Sequence, residues 1–151
     1  IFRHIGASSR FFVEFGVESG LECNSRFLRA KYNFRGVLWD ANYWPSVAAN
    51  LSRRRIDPGT LEENFERHGV PRIFDMLSID VDGADYLMWE QVVSYRPRLV
   101  VIEYTNRYLA GLEHVPEDGR GGGGASASSL EQLGRRKGYQ LVHLNQVNMF
   151  F

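Results

Sequence analysis

Apolar runs alternate with stretches of helical spacing along most of this chain. The apolar runs predict strands at residues 11–15, 36–40, 74–80 and 98–103, with a short stub at 55–56. Between and after them, helical spacing predicts helices at 21–31, 47–54, 61–68, 84–95 and from Ser126 or Ser128 to residue 137. Two final strands, 139–144 and 147–151, are separated by Asn145-Gln146, which indicates a hairpin.

This order of elements predicts one α/β domain spanning residues 1–151. We expect a Rossmann-like, doubly wound and mostly parallel sheet, with one antiparallel strand supplied by the C-terminal hairpin. The segment from Pro116 to Ala125 contains Gly121 to Gly124 and predicts a flexible surface loop.

The first strand leads into a loop that is typical of nucleotide-type cofactor sites. Its carboxylate, Glu14, is followed by Gly16 and Gly20, and glycines allow the backbone to approach a ligand closely. Asp40 ends the second strand, 20 residues after Gly20, where dinucleotide folds carry the acceptor for ribose hydroxyls. Glu14 has a second interpretation, in which it binds only the amides of its own loop.

Four predicted strands end in carboxylates, and parallel strands end at the same edge of a sheet. These residues are Glu14, Asp40, Asp80 and Glu103. Such groups can accept ribose hydroxyls or face an amine, a cationic cofactor centre or a metal ion. The candidates for catalysis are Asp80, Asp82 and Glu103.

Acidic residues are densest between Ser78 and Asp85. Asp82 and Asp85 can stabilise a helix N-terminus, or the cluster can hold a hard cation or a substrate. The segment is not an EF-hand loop, and we predict no dedicated metal centre. Asp80 and Asp82 are the candidate ligands if a metal is bound.

Composition and charge narrow the classes of function. The 18 basic residues balance the 18 acidic ones, so no basic excess indicates nucleic-acid binding. No apolar stretch approaches the roughly 18 residues that a membrane span requires. The single cysteine, Cys23, fits a reducing intracellular compartment such as the cytoplasm or an organelle matrix. Because the chain opens on Ile1 rather than Met, we expect a processed or incomplete chain whose targeting segment is not visible.

Several segments resemble the S-adenosylmethionine-dependent methyltransferase superfamily. They are FVEFGVESGLECN at 12–24, LSIDVDG at 77–83, RLVVIEY at 98–104, LGRRKGYQLV at 133–142 and VNMFF at 147–151. The resemblance is to the FkbM-like branch and to related uncharacterised eukaryotic methyltransferase-like proteins. It spans most of the chain and implies a seven-stranded class I methyltransferase fold.

The resemblance also implies a cofactor site and an activity. The loop with Glu14, Gly16 and Gly20 would cradle the methionine portion of S-adenosylmethionine, and Asp80 would lie near the same end. Asp40 would accept the ribose hydroxyls, and Asp57 would meet the adenine amine. The expected activity is O- or N-methyl transfer to an acceptor that the resemblance does not name.

Two other hypotheses stay open. Glu18 stands where the superfamily usually has a glycine, the third-strand region is short, and Phe2, Trp44 and Phe151 are candidates for exposed aromatic residues. These features fit a catalytically inactive methyltransferase-like domain that serves as a structural or assembly subunit of a larger complex. The third hypothesis is an NAD-dependent oxidoreductase, although the spacing of the loop glycines does not match G-x-G-x-x-G.

Overall fold

The computed structural model describes residues 1–21, 23–42, 51–117 and 123–151. In these ranges the strands are β1 (Phe11–Phe15), β2 (Arg35–Asp40), β3 (Leu51–Arg53), β4 (Ile73–Ile79), β5 (Arg96–Glu103), β6 (His143–Leu144) and β7 (Asn148–Phe150). The α-helices are α1 (Phe2–Ile5), α2 (Arg26–Tyr32), α3 (Leu61–Arg67), α4 (Asp85–Gln91) and α5 (Ala127–Arg136), and a 3-10 turn spans Pro58–Thr60.

The seven strands form one mostly parallel sheet in the order β3-β2-β1-β4-β5-β7-β6. β7 runs antiparallel to both of its neighbours, β5 and β6, and the other pairs are parallel. The predicted mostly parallel α/β sheet with one antiparallel strand from the C-terminal hairpin is therefore confirmed.

Helices cover both faces of the sheet. On one face, Phe65 of α3, Trp89 of α4 and Leu130 of α5 belong to the larger apolar cluster, and all three are fully buried. On the other face, Phe2 of α1 and Leu28 of α2 pack against the smaller cluster. Two covered faces explain why the central strands are near-continuous apolar runs. Among the described residues, no helix has the length and apolarity needed to cross a membrane.

The third strand differs from the prediction. Residues 51–53 form β3 beside β2, with Leu51 opposite Leu38, so the predicted helix is wrong over 51–54 and the stub at 55–56 is not a strand. Leu51 is buried. In a segment this short, the backbone hydrogen bonds available at the edge of β2 determine the secondary structure, and local helix propensity does not. Residues 47–50 of the predicted helix lie outside the described residues, as do 118–122 of the predicted glycine-rich loop.

Side-chain hydrogen bonds set two helix ends, one made by a carboxylate and one by a hydroxyl. Glu62 accepts hydrogen bonds from the amides of Val93 and Ser94, so the chain leaves helical geometry after Gln91 instead of continuing to residue 95. Ser126 caps α5 by accepting a hydrogen bond from the Ser129 amide, which selects it over Ser128 as the first residue of the predicted helix. α1 was not predicted.

Candidate functional site

A row of polar residues crosses the sheet at the carboxyl ends of the parallel strands β2, β1, β4 and β5 and at the amino end of the antiparallel strand β7. Extending the strand register by one residue places Asp40, Gly16 and Asp80 side by side and places Asp80 next to Glu103. Glu103 is paired in turn with Asn148 of β7. Laterally aligned residues direct their side chains to the same face of a sheet, so this register gathers three predicted carboxylates and an amide.

Gly16 makes this convergence possible. A Cβ atom at position 16 would lie 1.4 Å from the carbonyl oxygen of Asp80, and the φ angle of Gly16 is +68°. The Gly16 amide donates to the Trp39 carbonyl oxygen at 3.0 Å, which continues the hydrogen bonding of β1 with β2. Only glycine permits this conformation and this distance between the two chain segments without strain.

Glu14 lies two residues before Gly16 and is buried, with 3% exposure. Its two carboxylate oxygens accept hydrogen bonds from the amides of Asn24 (2.7 Å) and Ser25 (3.0 Å). The Asn24 side chain also donates to Ser78 Oγ at 3.0 Å. Glu14 therefore fixes the turn into α2, as its second interpretation expected, and it also lines a cavity described below.

Asp40 organises the loop after β1. Its two oxygens accept hydrogen bonds from the amides of Glu18 and Asn42, each at 2.8 Å. Glu18 has a φ angle of +48°, the left-handed conformation that a glycine adopts without strain. The Glu18 side chain is exposed and does not line either of the two larger cavities beside Gly16. The charged Glu18 side chain therefore occupies neither cavity.

The first cavity, of about 370 Å³, lies between the loop after β2, the segment 54–58 and the start of α4. Its carboxylates are Asp40, Asp57, Asp80 and Asp82, and its apolar walls include Phe15, Ile56, Leu87 and Met88. The size is within the usual range of small-molecule pockets. Apolar walls with carboxylates at the edges suit a flat apolar ring that carries hydroxyl or amine donors.

Asp57 is an exposed carboxylate of the first cavity. It precedes the 3-10 turn at Pro58–Thr60, and its side chain makes no capping hydrogen bond there. Its backbone carbonyl, rather than its side chain, accepts the hydrogen bond from the Thr60 amide at 3.0 Å. The carboxylate can thus meet a ligand in the first cavity without giving up a cap.

A second and a third cavity adjoin the first. The second, also about 370 Å³, shares Gly16 and Asp80 with the first and is further lined by Glu14, Leu21, Cys23, Asn24, Arg26 and Asn148. The third, about 210 Å³, shares Asp82 and is otherwise lined by Glu103, Tyr104, Thr105, Asn106, Arg107, Gly123, Gly124, Gln146 and Val147. Residues of the polar row therefore line all three cavities, and Gly16 and Asp80 lie where the first and the second cavity meet.

The three catalytic candidates lie together. One carboxylate oxygen each from Asp80, Asp82 and Glu103 can be chosen so that all lie within 4.8 Å of one another. Burial and the neighbouring Asp85 raise the pKa of Asp80 to about 6, and burial and Asp80 raise the pKa of Glu103 to about 7. The two carboxyl groups interact with each other, and this interaction lowers the pKa of Asp80 while it raises the pKa of Glu103.

No family model, curated protein or solved structure matches this chain.

Asp85 organises the turn beneath the carboxylates. It is fully buried and accepts hydrogen bonds from the amides of Val81 and Gly83, each at 2.9 Å. Burial raises its pKa, while these two amides act in the opposite direction. These bonds hold the turn between β4 and α4. Asp85 lies in the first turn of α4, as one of its two interpretations expected, but the N-cap residue is Ala84, which makes no side-chain capping hydrogen bond.

Sequence reasoning missed Asn148 and the walls of the third cavity. Asn148 could have been noticed as a polar residue inside the apolar run 147–151. Thr105 and Arg107 carry no motif, and only the fold after β5 brings them to the third cavity.

Proposed function

We propose that this chain is an S-adenosylmethionine-dependent methyltransferase that transfers a methyl group to an oxygen or nitrogen atom of an acceptor. The observation that carries the proposal is the cavity bounded by Gly16, Asp40 and Asp80 at the carboxyl ends of the parallel strands. Ligands of open α/β sheets bind in this position. The resemblance of segments 12–24, 77–83 and 98–104 supplies the identity of the cofactor.

The residues of the first cavity suit the adenosine part of this cofactor. Apolar walls that include Ile56 and Leu87 can pack on the adenine ring, and the exposed Asp57 can accept a hydrogen bond from its amine. Asp40 is already oriented by two amides and can accept from the ribose hydroxyls. Asp80 lies where the first and second cavities meet, and its negative charge favours the cationic methionine end.

The neighbouring carboxyl pair can take part in the reaction. When bound, S-adenosylmethionine supplies an electrophilic methyl group on a sulfonium centre. Glu103 lines the third cavity, and in its ionised form it can accept the proton that an acceptor hydroxyl or amine loses. Thr105, Asn106 and Arg107 can orient a small polar acceptor in the same cavity, and such positioning contributes much of the acceleration.

Calorimetric titration of the purified chain with S-adenosylmethionine and with its demethylated product tests the proposal. We expect binding of both, and about tenfold weaker binding by Asp57→Asn, because a hydrogen bond to a charged group contributes about 1.5 kcal/mol. Since Asp57 makes no capping hydrogen bond, this substitution should leave the fold intact.

Glu66→Gln is the matched control, since Glu66 is an exposed carboxylate on α3 that lines none of the three cavities. It should bind like the wild type. A folded wild-type chain that gives no heat with either ligand contradicts the proposed function. Equal affinities of Asp57→Asn and the wild type would instead remove Asp57 from the cofactor site.

The hypothesis of an inactive structural subunit is the main alternative, and a folded chain that binds neither ligand in that titration would favour it. One of the aromatic residues on which it depends, Phe151, is buried with 4% exposure and packs against Trp89, so its predicted exposure is wrong. Phe2 is half-buried and packs against Phe34, and Trp44 lies outside the described residues. A parallel titration with NAD addresses the oxidoreductase hypothesis.

A further inference from the structure

Three carboxylates at the centre of the polar row form a set of oxygen donors of suitable size for a metal ion. Their mutual separations of at most 4.8 Å match the spacing of ligands around one ion. Opposite ligands are about 4.2 Å apart around Mg²⁺ and about 4.8 Å apart around Ca²⁺, given bond lengths of about 2.1 and 2.4 Å. The ion pairs found among the described residues include none of Asp80, Asp82 and Glu103.

Asn148 supplies an independent sign of a missing ligand. The residue is only 8% exposed, and its Oδ1 atom is buried without a hydrogen-bond partner. A buried carbonyl oxygen that lacks a hydrogen-bond donor is destabilising, so proteins seldom leave one unsatisfied. A bound cation would satisfy this oxygen.

The register of β5 and β7 directs Asn148 toward the carboxylates. Val100 and Phe151 exchange two backbone hydrogen bonds, so the alternation of an antiparallel ladder makes Glu103 and Asn148 a non-hydrogen-bonded pair. Side chains of such pairs approach most closely and lie on the same face of the sheet. Asn148 also lines the second cavity together with Asp80.

We propose that Asp80, Asp82, Glu103 and Asn148 form a binding site for one hard divalent cation such as Mg²⁺, Mn²⁺ or Ca²⁺. Three carboxylates and one amide oxygen are the donors that such ions prefer, and water completes the coordination. The ion lies beside the third cavity, where an open coordination position can bind an oxygen atom of a ligand. The site does not depend on the proposed methyl transfer.

Titration of the metal-free chain with Mn²⁺ tests this site. Binding is measured by calorimetry and by electron paramagnetic resonance of the bound ion. No S-adenosylmethionine is added. We expect one Mn²⁺ per chain, and affinity about tenfold or more weaker in Glu103→Gln and in Asn148→Leu. Asn148→Asp keeps an oxygen donor and adds a negative charge, so it should bind Mn²⁺ more tightly than the wild type.

Asp57→Asn is the matched control because Asp57 lines the first cavity but is not among the four ligands. It should leave the Mn²⁺ affinity unchanged while weakening S-adenosylmethionine binding, which separates the two proposals. Circular dichroism checks the fold of each variant, and Asn148→Asp carries the test if Asn148→Leu fails to fold. Absence of Mn²⁺ binding at millimolar concentration would falsify the site. An Mn²⁺ affinity that stays at the wild-type value in every folded variant among Glu103→Gln, Asn148→Asp and Asn148→Leu would also contradict it.

Discussion

Gly16→Ala should lower the free energy of unfolding by about 3 kcal/mol or more, and it should abolish ligand binding at the polar row. The new Cβ would lie 1.4 Å from the Asp80 carbonyl oxygen and 2.6 Å from its carbonyl carbon. Both atoms belong to the backbone, so β1 and β4 must move apart at their carboxyl ends. Overpacking of this kind costs about 1–3 kcal/mol, and the positive φ angle adds about 1–2 kcal/mol.

Gly69→Ala separates these two costs. Gly69 has a φ angle of +63°, nearly that of Gly16, but a Cβ there would meet no atom within 4 Å. We therefore expect only the backbone cost, about 1 kcal/mol, in urea unfolding of this control. Equal losses of stability in the two variants would contradict the close approach of β1 and β4 at Gly16.

Asp75→Asn should lower the free energy of unfolding by about 3 kcal/mol at neutral pH. Asp75 is fully buried and accepts hydrogen bonds from the Ser8 amide (3.0 Å), the Arg10 amide (2.6 Å) and Arg98 Nη1 (2.7 Å). Arg98 also donates to the Ile5 and Gly6 carbonyl oxygens, so this carboxylate anchors the N-terminal segment. An amide at position 75 turns a donor toward these donors and leaves the guanidinium without its counter-ion.

The control for Asp75 is Glu63→Gln, which removes one partner of the exposed Glu63–Arg67 pair of α3. Exposed pairs of this spacing contribute a few tenths of a kcal/mol, so its stability should stay close to that of the wild type. Similar losses of stability in Asp75→Asn and Glu63→Gln would show that the buried Asp75 carboxylate contributes no more to the free energy of unfolding than an exposed one.

The effect of Asp75 should also depend on pH. Burial acts to raise the pKa of Asp75, but the Ser8 amide, Arg98 and the Arg10 amide outweigh it and hold the pKa below its usual value. A carboxyl group with a lowered pKa in the folded state stabilises it fully above the unfolded pKa of about 3.9, and this stabilisation is lost as pH falls through the folded value. The difference in stability between the wild type and Asp75→Asn should be constant from pH 7 to about pH 5 and shrink below about pH 4.

Strands buried on both faces could be predicted from the sequence because their signal is local. The predicted strands at 11–15, 36–40, 74–80 and 98–103 match β1, β2, β4 and β5 to within two residues at each end. β3 could not be predicted because a three-residue edge strand carries no periodicity of its own. It forms because the backbone of β2 offers hydrogen bonds to it, and Leu51 then lies opposite Leu38.

The candidate site was predictable in its residue types more than in its arrangement. The strand-end carboxylates Glu14, Asp40, Asp80 and Glu103 could be read from the sequence, since each is the last or the penultimate residue of an apolar run. Whether each would bind a ligand or its own loop could not be read, because this depends on which amides the fold turns toward it. Glu14 and Asp85 hold loops, whereas Asp57 is left with an exposed carboxylate.

By itself, the sequence determined the alternation of strands and helices, the acidic strand ends and the need for glycine after β1. Apolar spacing and turn chemistry act over a few residues, so they are legible without a fold. Only the tertiary structure decided that Asp80, Glu103 and Asn148 share one row, because strand order and register depend on the packing of distant segments. That packing brings Asp80, Asp82 and Glu103 together and leaves the buried Asn148 oxygen in the same row without a hydrogen-bond partner.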